Sequence, residues 1–313
     1  MSEFDLIKKY FTRPAPGALL AAGDDAALLP GVPGMALAVS TDMLVAGTHF
    51  FSDADPYWLG HKTLAVNLSD LAAMGAQPRW ATLSLSLPAV DEPWLQRFSA
   101  GFFALADEYG VGLVGGDTTR GPLNLCVTIL GEVPPGQALR RDGARVGDEV
   151  WVSGAPGRAA LGLAHLQGRL HLSGVWRDDC LMALHRPQPR VALGLALRTV
   201  AHSAIDVSDG LLADLGHILE CSGVAAELEE AALPPWPGVD QQLARRARWA
   251  GGDDYELCFT AAASRRGELE KLSAALALPL TRIGRIVPGR GCTLRDAAGN
   301  VVPLEESGYD HFA

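Results

Sequence analysis

Residues 36–42 read Ala-Leu-Ala-Val-Ser-Thr-Asp, and this stretch predicts a short apolar strand that leads directly into a Ser-Thr-Asp turn. A carboxylate beside Gly, Ser or Thr at the end of an apolar element recurs in three other segments of the first half: Gly23-Asp24-Asp25, Asn67-Leu68-Ser69-Asp70 and Gly115-Gly116-Asp117-Thr118-Thr119. The second half adds two such segments: Asp206-Val207-Ser208-Asp209-Gly210 and Gly251-Gly252-Asp253-Asp254.

These aspartates predict a metal–phosphate site. Any single turn of this kind has an ordinary structural explanation, because aspartate caps helices and accepts backbone N–H bonds. Six such turns in one chain favour a shared site instead. Carboxylates gathered without basic partners repel one another, so they need a cation, and oxygen ligands suit hard ions such as Mg²⁺ or Ca²⁺.

The composition indicates a globular protein of two domains. The chain has 313 residues, of which 48% are hydrophobic and 20% are charged, as in ordinary folded proteins. Its net charge of −10 argues against a nucleic-acid partner, because binding nucleic acid requires clustered Lys and Arg. An acidic protein still binds an anionic nucleotide when divalent ions lie between the two.

The chain is expected to be cytoplasmic, without a signal peptide or a membrane-spanning segment. Its first residues contain no apolar run, and the uncharged stretch 26–41 is interrupted by Pro and Gly. The five cysteines are widely spaced and form no Cys-x-x-Cys pair, which argues against zinc and disulfide frameworks. We therefore expect reduced thiols.

Hydrophobic periodicity predicts an α+β first domain over residues 1–135, with a mixed or antiparallel sheet and helices on one side. Residues 80–87 alternate between apolar and polar side chains, as expected of a half-buried strand. Asp91 is expected to cap a helix that ends at Gly110. The other elements predicted in this domain are a helix over 57–74 and strands over 36–39, 111–114 and 123–129.

Residues 136–147 predict a linker, because Pro134-Pro135-Gly136 interrupts the pattern, and a second αβ domain follows over 148–313. Its strongest helix is expected to begin at Asp209. The other elements predicted there are strands over 149–152, 255–260 and 280–287 and a helix over 267–276.

Two nucleotide-binding motifs are excluded by their context. Gly110-Val-Gly112-Leu-Val-Gly115 has the Gly-x-Gly-x-x-Gly spacing but follows a predicted helix, so Gly110 is better explained as a helix C-cap. No P-loop sequence occurs. Arg141 is either part of a solvated loop or a clamp on phosphate oxygens, and His49 is either a substrate contact or a turn residue.

Taken together, these segments resemble the thiamine-monophosphate kinase family, which is related to aminoimidazole ribonucleotide synthetase and selenophosphate synthetase. The resemblance covers essentially the whole chain in order. Its most specific parts are Asn67-Leu-Ser-Asp-Leu-Ala-Ala-Met-Gly75, Gly251-Gly-Asp-Asp-Tyr-Glu-Leu257 and the final Gly308-Tyr-Asp-His-Phe312.

The resemblance implies ATP-dependent phosphorylation of thiamine monophosphate to thiamine diphosphate with several Mg²⁺ ions, by a homodimer joined through barrel-like pairing of its N-terminal sheets. It implies these metal ligands: Asp25, Ser40, Thr41, Asp42, Asp70, Asp117, Asp206 and Asp209. The residues that contact ATP would be Gly116, Asp117, Arg141 and Ser208. The residues that contact the thiamine phosphate would be His49, Asp253 and Tyr309. The catalytic carboxylates would be Asp42, Asp117 and Asp209.

Three alternatives remain at this point. A synthetase of the same superfamily would share the aspartates, although selenophosphate synthetases usually carry a reactive Cys near the N-terminus and this chain has none before Cys126. A two-metal phosphoesterase would usually add His ligands. A Ca²⁺-binding module would show the twelve-residue loop spacing, which is missing.

Overall fold

The computed structural model describes residues 3–22, 26–233, 236, 238–303 and 308–309 of the chain. These residues form two compact units. The first consists of Met1–Leu71 and Ala76–Gly136, and the second of Ala72–Gly75 and Gln137–Ala313. Each unit combines a sheet with helices, so the predicted α+β class with two αβ domains is confirmed.

The first unit contains a four-stranded mixed sheet in the order β1-β4-β2-β3. Strand β2 pairs parallel with β3, and the other two pairings are antiparallel. The elements are α1 (Glu3–Tyr10), β1 (Ala36–Val45), α2 (Pro56–Ala73), β2 (Gln77–Leu87), α3 (Glu92–Tyr109), β3 (Gly112–Arg120) and β4 (Asn124–Val133).

The two faces of this sheet differ in exposure. Along β4, Leu125, Val127 and Ile129 are fully buried, whereas the residues between them are only partly covered. Helix α2 lies against the buried face, where the Leu71 side chain approaches Gly131 of β4. On the opposite face, three apolar side chains of β1 are more than half exposed: Leu37, Val39 and Met43.

Helix α3 has the ends that the sequence predicts. The Asp91 carboxylate accepts a hydrogen bond from the Trp94 N–H at 3.1 Å, and Gly110 adopts a left-handed conformation with φ of 66°. The Gly110 N–H donates to the carbonyls of Ala106 and Asp107. The interpretation of Gly110 as a C-cap, rather than as part of a dinucleotide motif, is confirmed.

The second unit contains a seven-stranded sheet in the order β11-β10-β7-β9-β5-β8-β6. In chain order its elements are β5 (Asp148–Ser153), α4 (Arg158–Leu166), α5 (Gly174–His185), α6 (Val191–Leu197), β6 (Ala201–Val207), α7 (Leu211–Ser222), β7 (Ala225–Glu229), α8 (Gln241–Ala250), β8 (Glu256–Ala262), α9 (Arg266–Leu276), β9 (Leu280–Val287), β10 (Gly291–Arg295) and β11 (Val301–Val302). Short 3-10 turns occur at Arg141–Gly143, Glu230–Ala232 and Ala263–Arg265.

Helix α7 packs against this sheet and supplies much of its core. Leu211, Leu215 and Ile218 are fully buried together with residues of β5 and β6. The helix begins at Leu211, so the prediction that it begins at Asp209 is wrong by two residues. The reason is Gly210, whose φ of 124° is not helical and which forms the N-cap.

Two further features concern the state of the cysteines and the character of the helices. All five cysteines are free thiols, as predicted. Among the residues that the structure describes, no helix has the length and apolar character required to cross a bilayer.

Helices α2 and α3 cross so closely that glycine is required on both. A Cβ atom at Gly60 would collide with the Phe98 carbonyl, and one at Gly101 would collide with the Tyr57 carbonyl. We predict that Gly101→Ala lowers the free energy of unfolding by about 1–3 kcal/mol, the usual cost of overpacking a core. Urea titration followed by circular dichroism measures this change.

Gly216 of α7 is the matched control, because no atom lies within 4 Å of a Cβ built there. Gly216→Ala should leave the stability unchanged or raise it by up to about 1 kcal/mol through helix propensity. Equal effects of the two substitutions would contradict the close-crossing interpretation.

Candidate active site

In the first unit, four predicted polar residues meet between β1 and α2. Ser40 and Asp42 are two apart on a strand, and Asn67 and Asp70 are three apart on a helix, so each pair shares one face. The Ser40 hydroxyl donates to the Asp70 carboxylate at 2.5 Å. The Asp42 N–H donates to the Asn67 side-chain oxygen at 3.1 Å. Strand and helix thus present oxygen atoms to one another.

Three of the predicted turns prove to be parts of regular elements. Ser40-Thr41-Asp42 lies in the middle of β1, Asn67–Asp70 lies inside α2, and Gly115–Thr119 lies inside β3. The prediction that an apolar element ends at these segments is therefore wrong for the two strands, whereas Asp70 lies near the C-terminal end of α2, as the predicted helix over 57–74 requires. Successive side chains of a strand point to opposite faces, so Ser40 and Asp42 share one face of β1 while the backbone pairing with β4 continues through them.

Thr41 faces away from Ser40 and Asp42, as alternation along a strand requires. Its hydroxyl donates to the Val127 carbonyl at 2.9 Å and accepts from the Thr128 hydroxyl at 3.1 Å. The Thr41 side chain is thus held on the face opposite to Ser40 and Asp42.

Gly116 and Asp117 lie on β3, at the other edge of the sheet from β1. Asp42 pairs with Val127, Val127 with Leu83, and Leu83 with Gly116, so Asp42 and Gly116 stand at the same level of the sheet. A Cβ at Gly116 would collide with the Leu83 backbone, and its φ of 155° favours glycine. Asp117 is exposed.

His49 closes the turn that follows β1. The Nδ1 atom of the His49 ring accepts a hydrogen bond from the Val45 N–H at 3.0 Å. The backbone N–H of His49 donates to the Val45 carbonyl at 2.9 Å. A neutral His49 ring therefore carries its proton on Nε2. Asp25, another predicted metal ligand, lies outside the described residues.

In the second unit, the segment between β6 and α7 is organised by Asp214. Its carboxylate accepts hydrogen bonds from the N–H groups of Ser208 and Asp209 at 3.1 Å and of Gly210 at 3.0 Å. Asp214 is buried, with 3% of its surface exposed. Burial, and to a lesser extent the Asp209 charge, raise the pKa of Asp214 to about 7.

Sequence reasoning missed Asp214. The available signal is its position, since it is a carboxylate in the buried stripe of an otherwise apolar helix, beside Leu211 and Leu215. A charged residue there requires buried donors. Those donors are the backbone of Ser208–Gly210.

The Gly251–Tyr255 segment docks on the Ser208–Gly210 segment. The Asp253 N–H donates to the Ser208 carbonyl and the Tyr255 N–H to the Val207 carbonyl, each at 2.8 Å. Asp253 and Tyr255 both have positive φ, at 68° and 51°, so the segment adopts a conformation that side chains rarely allow. This geometry fixes the position of Asp253.

Asp254 connects the same segment to the start of helix α4. Its carboxylate accepts from the Gly157 N–H at 2.6 Å and from the Ala159 N–H at 3.4 Å, at the start of α4. Burial raises the pKa of Asp254 well above its ordinary value. The favourable dipole at the helix N-terminus and these donors accommodate the group.

Tyr309 completes this group of residues. Its N–H donates to the Asp209 carbonyl at 3.0 Å, and 54% of its surface is exposed. The second unit therefore brings together four predicted site residues: Ser208, Asp209, Asp253 and Tyr309. Asp206 is buried at the end of β6, two residues before Ser208.

The residues that the structure describes contain no group of three His, Cys, Asp or Glu side chains close enough to hold a metal ion. The predicted magnesium ligands include hydroxyl groups in addition to carboxylates. The donors present, such as the Ser40 hydroxyl and the Asp70 carboxylate, are all oxygen atoms and fit a hard cation. The assignment of metal ligands stays a prediction.

Two family models match the chain, namely AIR synthase related protein, N-terminal domain, over residues 23–133, and its C-terminal domain over residues 145–297. The thiamine-monophosphate kinase of Escherichia coli (strain K12) is 49% identical over 322 residues, which cover 99% of this chain and 98% of the relative. The chain belongs to the thiamine-monophosphate kinase family. The family also includes a kinase from Bacillus subtilis (strain 168) that is 35% identical over the full length of both chains.

Solved structures of the family share the fold. The thiamine-monophosphate kinase from Stenotrophomonas maltophilia K279a superposes with a TM-score of 0.85 at 49% identity and covers 96% of each chain. AaThiL, complexed with AMPPCP and TMP, superposes with a TM-score of 0.79 at 30% identity and covers 99% of this chain and 96% of that one. The hydrogenase maturation protein HypE shares the fold at 24% identity.

We predict that Asp214→Ala lowers the free energy of unfolding by about 1–3 kcal/mol, because it leaves buried N–H groups without an acceptor. Thermal and urea unfolding measure the loss. Glu220→Ala, at an exposed carboxylate of the same helix, should change stability by less than about 0.5 kcal/mol. A variant Asp214→Ala as stable as Glu220→Ala would overturn the role given to this carboxylate.

Proposed function

We propose that this protein transfers the γ-phosphate of ATP to thiamine monophosphate and so forms thiamine diphosphate, the last step in the synthesis of that cofactor. One observation carries the proposal. The second unit brings Ser208, Asp209, Asp253 and Tyr309 into one hydrogen-bonded group, and these are residues that the family resemblance assigns to ATP, metal and thiamine phosphate. The complex of AaThiL with AMPPCP and TMP supports the two proposed substrates.

Phosphoryl transfer is direct and in line in this proposal. The acceptor is a phosphate oxygen whose second pKa is about 6, so it is already largely ionised near neutral pH. A general base is then not required. The site residues position the two substrates, and catalysis rests on orientation and charge stabilisation.

Several Mg²⁺ ions would neutralise the phosphates of both substrates and the charge of the transferring group. The residues that would hold them are the predicted ligands Asp25, Ser40, Thr41, Asp42, Asp70, Asp117, Asp206 and Asp209. In the structure the Asn67 amide fixes the backbone of Asp42, and the Ser40 hydroxyl orients the Asp70 carboxylate. These contacts hold the backbone of Asp42 and the carboxylate of Asp70 in place.

The remaining residues have distinct roles in the proposal. Gly116, Asp117, Arg141 and Ser208 contact ATP. His49, Asp253 and Tyr309 contact the thiamine phosphate, and the bond from Val45 to the His49 ring sets which nitrogen it presents. Asp42, Asp117 and Asp209 act on the transferring group.

The protein acts as a homodimer in the cytoplasm in this proposal. The outer face of the first unit's sheet supports the dimer, because Leu37, Val39 and Met43 of edge strand β1 are more than half exposed. An exposed apolar face on an edge strand is a typical pairing surface. Free cysteines fit a reducing compartment.

Incubation with ATP, Mg²⁺ and a panel of phosphorylated metabolites, followed by measurement of ADP, tests the activity. We expect turnover with thiamine monophosphate. Asp42→Asn and Asp117→Asn each keep the side-chain shape and remove a charge, and should lower kcat by on the order of 10²-fold or more. Asp178→Asn, which alters an exposed carboxylate paired with Arg177 on α5, should keep wild-type turnover. Wild-type turnover of Asp42→Asn at saturating Mg²⁺ would refute the assignment.

Tyr309→Ala tests the thiamine contact, and the structure makes the test selective. The bond to Asp209 comes from the Tyr309 backbone, so the substitution removes the ring without removing that bond. Stacking and cation–π attraction predict a rise in KM for thiamine monophosphate of roughly 2- to 30-fold. The KM for ATP should stay near its original value, and Tyr309→Phe should behave like the wild type. A parallel rise of both constants would indicate a structural role.

A further inference from the structure

Segment 140–145 carries Arg141, and its side chains are arranged so that Arg141 extends into solvent. Arg140 donates two hydrogen bonds to the Asp142 carboxylate, at 2.8 and 2.5 Å. The carboxylate next to Arg141 is therefore paired with Arg140. Arg141 itself is exposed. Within the described part of the chain, the structure shows no hydrogen bond or ion pair of the Arg141 guanidinium.

The backbone of the same segment is held tightly, and Ser222 at the end of α7 provides the bond at Arg141. The Ser222 hydroxyl donates to the Arg141 carbonyl at 2.9 Å. The same hydroxyl accepts from the Ala144 N–H at 3.1 Å. One side chain thus connects both ends of the 3-10 turn Arg141–Gly143 to the helix.

Further contacts fix the segment on either side of this bridge. The Ala204 N–H of β6 donates to the Arg140 carbonyl at 3.2 Å. The buried Asp148 carboxylate accepts from the Arg145 N–H at 2.9 Å and bonds His202 Nδ1. A Cβ at Gly143 would collide with the His202 carbonyl, so the turn lies directly on β6.

We propose that Ser222 is a positioning residue for Arg141, which it aims at the phosphates of the nucleotide by holding the Arg141 peptide on the end of α7. The inference rests on the proposed function, in which Arg141 contacts ATP. A fixed backbone lowers the entropy that a long side chain loses when it binds, because fewer bonds remain to be ordered. Ser222 itself contacts no substrate.

Steady-state kinetics of the full-length enzyme with ATP, Mg²⁺ and thiamine monophosphate test the inference. Ser222→Ala should raise the KM for ATP roughly 2- to 10-fold, the factor that the net free energy of one hydrogen bond implies. The KM for thiamine monophosphate should not change. Ser222→Thr keeps a hydroxyl and should restore the KM for ATP toward the wild-type value.

Ser273→Ala is the matched control. Ser273 lies near the end of α9, and its hydroxyl donates to the Leu278 carbonyl at 2.7 Å, so the same type of bond is lost at a distant position. This variant should keep both KM values. Thermal unfolding of the two alanine variants shows whether any common loss of stability contributes.

The double variant Arg141→Ala/Ser222→Ala separates positioning from an independent effect. If Ser222 acts through Arg141, the double variant has the KM for ATP of Arg141→Ala alone. Two results would overturn the positioning role and leave the proposed function intact. In the first, the KM for ATP of the double variant rises by the product of the two single effects. In the second, Arg141→Ala raises the KM for ATP while Ser222→Ala leaves it unchanged. A wild-type KM for ATP in Arg141→Ala would instead remove the ATP contact on which the inference rests.

Discussion

The carboxylate of Asp214 accepts three consecutive backbone N–H groups, and the site of the second unit depends on this arrangement. The N–H groups of Asp209 and Gly210 point toward Asp214, so the carbonyls of the same trans peptide units, which belong to Ser208 and Asp209, point the opposite way. The Ser208 carbonyl then accepts from Asp253, and the Asp209 carbonyl accepts from Tyr309. One buried acid therefore orients three chain segments, and its burial is compensated by the donors that it organises.

Helix α7 extends this organisation over its whole length. Asp214 in its first turn holds the Ser208–Gly210 segment, and Ser222 at its end holds the Arg141 turn. The helix has 12 residues, which corresponds to about 18 Å at 1.5 Å per residue. Its apolar residues Leu211, Leu215, Ile218 and Leu219 are buried in the core of the second unit. The two segments that we assign to ATP, Ser208–Gly210 and the Arg141 turn, are thus attached to opposite ends of helix α7.

Sequence reasoning succeeded where the determinants are local. The strand predicted over 280–287 has the bounds of β9, and Asp91 and Gly110 predict both ends of α3. It failed for Ser40–Asp42 because the pairing of β1 with β4, in which Asp42 stands opposite Val127, joins residues distant in sequence. Asp214 is a different case, because its donors, Ser208–Gly210, lie only four to six residues before it. The signal for it is a carboxylate among the buried apolar residues of α7, and sequence reasoning did not use that signal. The metal ligands remain predicted, because their grouping depends on ions and substrates as well as on the chain.

The attachment of Tyr309 has a consequence for how this enzyme family can diversify. The chain is held there by a backbone N–H, which every residue except proline possesses, whereas the side chain projects into solvent. Any residue except proline at position 309 could keep this bond to Asp209, whatever its side chain. The side chain at position 309 can therefore vary during evolution while the backbone attachment of this segment to Asp209 stays the same.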